Sequence, residues 1–242
     1  MNTKTKSAEG KDLNESGTNY DKDAYEKASH TVDIAILRVH KNELQILLGK
    51  RSHPPYRNTW VLPGGFVDIA KKETLESAAY RELKEETQVT GIPIRQFKTY
   101  GDPKRDPRMR IITTVYYAIV SNELLEVTKI KASDDIWDTE WFDVRDLPKL
   151  GFDHKKIISE LITQVEHDTL NDPISFEFTN KVFTWSDLQD VYETVLNKDL
   201  VASNFRRKIK SMYKIKEMTK KDESSGGRPP VFLKFYGTNS NF

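Results

Sequence analysis

The sequence predicts an α+β protein with two domains of different build. Residues 29–168 hold short apolar runs typical of strands and a strongly amphipathic helix, whereas residues 169–242 show two helices followed by two short strands. The charge divides in a similar way. Residues 181–242 carry 12 Lys and Arg against 7 Asp and Glu, net +5, and residues 1–180 carry 26 against 30, net −4. The second domain is therefore expected to bind a polyanion.

The composition indicates a soluble, globular chain and excludes several kinds of site. Its 242 residues suffice for one large or two modest domains, with 37% hydrophobic and 31% charged residues. The absence of cysteine rules out a disulfide framework and a thiolate metal site. No long apolar run predicts a membrane span, and residues 1–29 lack the apolar stretch of a signal peptide. We expect a cytoplasmic protein without membrane contact, with a disordered tail over residues 1–28.

Two strands and a loop with two prolines open the first domain. Residues 32–37 and 44–48 have the pattern of two strands joined by a short turn. Residues 51–63 then suit a pocket rim, where Arg51 and Trp60 would contact a nucleotide. The alternative for Trp60 is a place in the core, which is the more common role of a tryptophan.

An amphipathic helix after this loop carries the strongest chemical signal. Thr74 suits the N-cap, and at about 100° per residue three glutamates fall in the same arc as the apolar side chains. The alternative is a solvated acidic face. Inward carboxylates require a compensating charge, which Mg²⁺ supplies through oxygen ligands and Arg81 can share. The apolar side chains are Leu75, Ala78, Ala79 and Leu83, and the glutamates are Glu82, Glu85 and Glu86.

These residues resemble the Nudix box, in which a glycine, five residues, a glutamate and seven residues precede Arg-Glu-apolar-x-Glu-Glu. Glu73, seven residues and the run 81–86 follow this order. Two departures stand out. Seven residues separate Gly65 from Glu73, and Gln88 occupies a position that the box gives to glycine. The longer loop is expected to move Gly65 relative to the helix.

The resemblance implies a Nudix fold, an α/β/α sandwich with a mixed sheet. It also implies a Mg²⁺ or Mn²⁺ ion at Gly65 and the three glutamates. Because of the longer loop, we expect hydrolysis to be weak or absent. The catalytic residues implied by the resemblance are Glu73, Arg81, Glu82, Glu85 and Glu86.

A basic loop follows at residues 101–108. Its two prolines and three basic residues suit a rigid, positively charged lip for a diphosphate or a ribose phosphate. The alternative is a surface loop whose arginines pair with Asp102 and Asp106. The run is similar to one in ADP-ribose-recognising Nudix proteins, and this similarity implies that Arg105 and Arg108 bind the ligand.

Two further strands and a second amphipathic helix complete the first domain. Residues 111–120 and 137–144 have strand patterns, and apolar side chains recur at core spacing from Ile157 to Val165. His154 stands at the start of this helix. It would face the pocket and bind the ligand, or alternatively serve as a structural histidine.

The C-terminal residues read as a different module after a linker at residues 167–175. A capping box at residues 184–187 starts one helix, residues 197–200 make a turn, and a second helix begins near Ser203. A β-hairpin over residues 214–236 follows. Helix, turn, basic helix and hairpin describe a winged helix-turn-helix.

Basic residues dominate this module. Residues 200–236 hold ten basic and three acidic residues, net +7, which is typical of a nucleic-acid-binding surface. The alternative is a merely solvated helix face. Helix-turn-helix modules place the second helix in the major groove, where planar side chains read bases and lysines suit phosphates. The predicted DNA-binding residues are Asn204, Arg206, Arg207, Lys208, Lys210 and, from the wing, Arg228.

The order of these motifs resembles the Nudix-related transcriptional regulators of NAD metabolism, over about residues 30–237. The resemblance implies a dimeric repressor that binds double-stranded operator DNA and senses ADP-ribose or a related nucleotide, although related regulators respond to sugars. The alternative is a Mg²⁺-dependent ADP-ribose pyrophosphatase that yields AMP and ribose 5-phosphate. The basic module favours the regulator, and the retained glutamates favour the enzyme.

Overall fold

A computed structural model describes residues 11–13, 19–21, 26–87, 89–127, 136–218 and 231–239. Most of the predicted tail, Gln88 and Arg228 lie outside these ranges. Near the N-terminus, β1 (Lys11–Leu13) and β2 (Asn19–Asp21) pair antiparallel.

A seven-stranded mixed sheet forms the centre of the first domain. Its strand order is β5-β4-β3-β8-β7, with β6 paired to β3 and β9 paired to β4. The β3 and β8 strands are parallel, and the other pairs are antiparallel. The strands are β3 (Ser29–His40), β4 (Glu43–Arg51), β5 (Trp60–Val61), β6 (Gly64–Phe66), β7 (Arg95–Tyr100), β8 (Ile111–Ile119) and β9 (Ile136–Asp143).

Helices cover both faces of this sheet because its central strands are apolar on both sides. From β3, Ile34 packs towards α1 (Leu75–Thr87), while Ala35 packs towards α3 (His154–Asn171). The short helix α2 (Asn122–Val127) follows β8. The predicted α/β/α sandwich with a mixed sheet is confirmed.

The second domain is a winged helix-turn-helix, as predicted. The capping box forms, since Thr184 and Asp187 exchange hydrogen bonds between side chain and backbone. Asn197 then ends the first helix in the left-handed conformation, which starts the turn. The elements are α4 (Ser175–Phe178), β10 (Phe183–Thr184), α5 (Trp185–Leu196), α6 (Ala202–Met212), β11 (Tyr213–Met218) and β12 (Phe232–Thr238), with sheet order β10-β12-β11.

The linker predicted at residues 167–175 is wrong in its first half. The α3 helix continues to Asn171, whose side-chain amide donates to the His167 carbonyl at 2.8 Å. Thr169 is fully buried. Packing of this last turn therefore overrides the loop propensity of its polar residues.

One helix, α5, belongs to two hydrophobic cores. Its residues Val191 and Val195 pack in the core between the sheet and α3, whereas Leu188 and Tyr192 pack with the α6 side chains in the winged-helix core. An ion pair between Arg95 of β7 and Glu177 of α4 adds a polar contact between the domains. Among the residues that the structure describes, no helix is long and apolar enough to cross a membrane.

Candidate functional site

A cavity of about 300 Å³ opens at one end of the sheet, beside the last turn of α1 and the start of α3. It brings together parts of the chain that are far apart in sequence. Four of the five residues predicted to bind a ligand line it. Its polar lining includes Asp33, Arg51, Glu86, Arg105, Arg108 and His154.

The glutamates of α1 do not all face the same way. Glu82 and Glu86 are buried, with relative exposures of 7% and 6%, as predicted for the inward arc. Glu85 was predicted to join them, but 56% of its side chain is exposed. Glu85 lies at the edge of the helix face that packs on the sheet, so its carboxylate remains in contact with solvent.

Arg81 is a cation that pairs with three carboxylates of this region. Its guanidinium donates to Glu73 at 2.6 Å, to Glu82 at 2.7 Å and to Glu85 at 2.9 Å. The Arg81 hydrogen bond lowers the pKa of Glu73, whereas burial raises the pKa of Glu82 despite the same arginine. Contact with Glu73 and the other acids raises the pKa of Arg81 itself. Arg81 therefore remains charged and neutralises part of the cluster.

Gly65 lies against Glu82, contrary to the expectation that the longer loop displaces it. A β-carbon at Gly65 would stand 2.2 Å from a Glu82 carboxylate oxygen, so no other residue fits without a shift. The extra residues fold into their own turn, in which the Asp68 amide donates to Glu73 at 2.8 Å. The neighbouring Gly64 amide donates to Glu86 at 2.7 Å. The insertion thus leaves the glycine loop in contact with the helix.

The Nudix resemblance implies a divalent cation, and carboxylate oxygens beside the glycine loop are donors of the kind that such an ion prefers. Glu82 and Glu86 are buried beside Gly65 and Gly64, whereas Glu85 is exposed and shares the Arg81 guanidinium with Glu82. Within the described ranges, no group of three or more His, Cys, Asp or Glu side chains could hold a metal ion.

The two arginines of the basic loop have different surroundings. Arg105 is buried and donates two hydrogen bonds to Asp153, at 3.0 and 2.8 Å, and its Nη2 lies 3.7 Å from Asp33. Arg108 is partly exposed and pairs with Asp106 at 3.0 and 2.7 Å. The predicted alternative of pairing within the loop therefore describes Arg108, whereas the Arg105 charge is already balanced by Asp153.

Trp60 is not among the side chains that line the cavity, and the alternative of a place in the core describes its position. Its ring packs edge-on against Phe142, with centroids 4.7 Å apart, and joins the core beneath α3. The Lys50 ammonium lies 5.6 Å from the ring centroid. A strand position with one face turned to the core accounts for this placement.

Aromatic side chains at the cavity mouth were missed in the sequence. Phe66 is 43% exposed, and Phe152 lies opposite. The Arg108 guanidinium lies 5.6 Å from the Phe66 ring and 5.9 Å from the Phe152 ring. Arg51 lies 5.2 Å from Phe152 and donates to the Pro55 carbonyl at 2.7 Å. The mouth thus combines cations with flat apolar surfaces.

His154 faces the cavity, as predicted, although it is 97% buried. Its Nδ1 accepts a hydrogen bond of 2.8 Å from the Leu62 amide. Burial lowers the pKa of His154 below its usual value, so the ring is neutral near pH 7. Asp33 beside it was also missed, although a lone carboxylate within a buried strand is a signal that could have found it.

The exposed face of α6 forms the second candidate site. Phe205 and Ile209 anchor the helix, and the five residues predicted to bind DNA on it are exposed. The Arg207 guanidinium donates to Asn204 at 3.1 Å, which places these two side chains together. The Arg206 and Lys210 cations lie 5.7 and 5.5 Å from the Trp185 ring on another side of the helix. Lys214, Lys216 and Lys234 add exposed charge from the wing strands, and Arg228 lies outside the described residues.

These features define the class of protein, a Nudix domain joined to a winged-helix DNA-binding domain. The NUDIX domain profile matches residues 29–161, and the profile of the NrtR DNA-binding winged helix domain matches residues 175–235. The chain belongs to the Nudix family, among the transcriptional regulators that carry both domains.

Two known regulators illustrate the similarity, one of them through two solved structures. The ADPR responsive transcriptional repressor NtrR of Acinetobacter baylyi is 31% identical over 218 residues, which cover 89% of this chain and 85% of the relative. Shewanella oneidensis NrtR complexed with a 27mer DNA has a TM-score of 0.70 at 29% identity, covering 85% of this chain and 93% of that one. The NUDIX domain of the same regulator complexed with ADP ribose has a TM-score of 0.54 at 32% identity, covering 60% and 94%.

Proposed function

We propose that the protein is a ligand-responsive transcriptional repressor, whose Nudix domain binds ADP-ribose or a related nucleotide and whose winged helix binds operator DNA. The observation that carries the proposal is the position of α5. This helix packs in the core of the cavity-bearing domain through Val191 and Val195, and it also supports the basic helix α6. A ligand that shifts the first domain therefore has a packed route to the DNA-binding surface.

The cavity mouth has the chemistry for a nucleoside diphosphate. Arg51 and Arg108 bring two cations to the lining, and arginine pairs with phosphate through two parallel hydrogen bonds. Phe66 and Phe152 present ring faces on which a base can stack. Arg108 would exchange its Asp106 partner for the ligand phosphates. Two relatives support ADP-ribose as the effector. The Acinetobacter repressor is ADPR responsive, and the Shewanella NUDIX domain was solved in complex with ADP ribose.

The winged helix would bind double-stranded DNA in the manner of its class. Asn204 and Arg207 are already hydrogen-bonded to each other and suit base edges, whereas Lys208 and Lys210 suit phosphates. Arg206 shares the Trp185 ring with Lys210 and would contact the backbone on that side. We further propose a homodimer, which places two α6 helices on palindromic half-sites, and control of genes for NAD metabolism or transport.

The second candidate function is ADP-ribose pyrophosphatase activity with Mg²⁺ or Mn²⁺. Glu82 and Glu86 would hold the ion beside Gly65, and the ion would supply charge stabilisation on the diphosphate. Because Glu85 points to solvent and Arg81 occupies Glu82, we propose that metal binding and hydrolysis are weak or absent.

Calorimetric titration of the full-length protein with ADP-ribose tests the effector site. Arg108→Ala should weaken binding about 10- to 100-fold, since it removes a charged hydrogen-bond donor. Arg110→Ala provides a matched control two residues further along the chain, because Arg110 is exposed and does not line the cavity. Equal affinities of the two variants would contradict the proposed phosphate contact, and no binding by the wild type would contradict the proposed effector.

A further inference from the structure

His154 and Asp33 form a donor and acceptor pair that faces the cavity floor. The His154 Nε2 atom lies 3.8 Å from Asp33 Oδ1, which is too long for a direct hydrogen bond. Both residues line the cavity and are buried, with relative exposures of 3% and 8%. Because both residues belong to the cavity lining, a group bound in the cavity can approach both atoms.

The Leu62 amide fixes which nitrogen of His154 carries the proton. This amide is a donor, and its 2.8 Å hydrogen bond to Nδ1 requires an unprotonated Nδ1. Burial keeps the ring neutral, so the single proton sits on Nε2. The structure therefore presents an N–H donor towards Asp33 and the cavity.

The surroundings of Asp33 leave Oδ1 as its acceptor in the gap. Thr113 donates its hydroxyl proton to Oδ2 at 2.7 Å, and Arg105 Nη2 lies 3.7 Å from the same oxygen. Both groups act on Oδ2 and so hold the carboxylate in place through the oxygen that is not nearest to His154. Oδ1 thus faces the histidine at a fixed distance.

The spacing of 3.8 Å admits one oxygen atom at about 2.8 Å from both groups. A hydroxyl satisfies both because it accepts from Nε2–H and donates to Oδ1. A phosphate oxygen does not, since it has no proton to donate to the carboxylate and repels it by charge. The pair is therefore selective for a hydroxyl over an anion.

We propose that Asp33 and His154 bind a hydroxyl of the sugar at the inner end of the effector. This proposal rests on the proposed effector site and adds the orientation of the ligand. The base lies at the mouth beside Phe66 and Phe152, and the terminal sugar lies at the floor. The regulator would then distinguish ADP-ribose from ADP by this one contact.

Calorimetric titrations of wild type and Asp33→Asn with ADP-ribose and ADP test the assignment. In the variant, an amide oxygen can keep the Thr113 bond, which turns the amide N–H₂ donor towards the His154 donor. We expect ADP-ribose binding to weaken about 10- to 100-fold, while ADP binding stays unchanged. Asp153→Asn is the matched control, because it changes a carboxylate of the same network and removes no atom of the Asp33–His154 pair.

The outcomes separate this inference from the proposed function. Equal losses for ADP-ribose and ADP in Asp33→Asn, or the same selective loss in Asp153→Asn, would overturn the hydroxyl contact alone. Failure of the wild type to bind ADP-ribose would overturn the proposed effector. The hydroxyl contact would then be tested with ribose 5-phosphate, which carries the same sugar: its affinity should fall in Asp33→Asn, and an unchanged affinity would overturn the contact. A ¹⁵N NMR spectrum of His154 gives an independent check: the Nε2–H tautomer is expected, and the Nδ1–H tautomer would contradict the geometry.

Discussion

Arg145 donates a hydrogen bond of 2.6 Å from its guanidinium to the Thr194 carbonyl oxygen, in the last turn of α5. Arg145 follows β9 in the Nudix domain, and α5 supports the DNA-binding helix. The cation also lies where a helix dipole is negative, which strengthens the contact. Together with the packing of Val191 and Val195 on the sheet core, this bond fastens the winged helix to the effector domain.

Replacing Arg145 by methionine should weaken communication between the two domains. The change keeps an apolar stem and removes the donor to Thr194, so the free energy of unfolding should fall by about 1–2 kcal/mol. The ratio of operator affinities measured with and without ADP-ribose should move towards one. Arg110→Met is the control, since Arg110 is exposed and lies just before β8. An unchanged ratio in Arg145→Met would show that α5 does not transmit the signal through this bond.

The α6 side chains should divide into base-reading and phosphate-binding residues. Arg207→Ala is expected to cost about 1–3 kcal/mol on the cognate operator and much less on random DNA. Lys210→Ala should weaken both alike and reduce the salt slope by about one. Fluorescence anisotropy across a salt series measures both effects. Equal losses of Arg207→Ala on cognate and random DNA would rule out base reading by this residue.

Divalent-cation binding should depend on Glu86 and not on Glu85. We expect weak calorimetric binding of Mg²⁺ or Mn²⁺ that Glu86→Gln abolishes, because Glu86 is buried beside Gly64. Glu85→Gln is the matched control and should leave binding unchanged, because this carboxylate is exposed. Turnover of ADP-ribose within the usual enzymatic range of about 1–10³ s⁻¹ would instead favour the hydrolase.

Stability should fall on acidification because of His154. Its pKa is lowered by burial, so below about pH 6.5 the unfolded chain binds a proton that the folded protein does not. Stability therefore rises with pH across this window, by up to about 1.4 kcal/mol per pH unit from this residue. The free energy of unfolding can be measured with denaturant at several pH values between about 5 and 7. Its increase with pH should be smaller in His154→Gln than in wild type. Identical slopes would mean that His154 is accessible to protons in the folded protein.

The sequence predicted both domains because their signals are local. Helix periodicity, the capping box at Thr184 and the basic charge of α6 each arise within a few residues. The linker was wrong at Thr169 because its burial depends on packing that no local pattern records. The predicted inward position of Glu85 was wrong for a related reason. A helical arc gives the direction of a side chain but does not show where the neighbouring sheet ends.

The composition of the cavity was only partly predictable. Arg51 and His154 were placed at the cavity by their positions in the chain, and Arg105 and Arg108 by the resemblance of their loop to ADP-ribose-recognising Nudix proteins; all four line the cavity. That Arg105 is paired with Asp153, 48 residues away, follows from the three-dimensional contact alone. Phe66 and Phe152 are far apart in sequence and come near the same arginine, Arg108, only in the folded protein, so no local pattern indicated their role.

A nucleotide in the Nudix cavity is expected to control the DNA affinity of the winged helix. The direct measurement is binding of the full-length protein to the DNA upstream of its own and neighbouring genes, with and without ADP-ribose. We predict that ADP-ribose shifts the operator dissociation constant by about 5- to 150-fold in wild type. Arg108→Ala should bind the same DNA and respond only at higher ADP-ribose concentrations. If the operator affinity is the same with and without saturating ADP-ribose, the nucleotide does not control DNA binding.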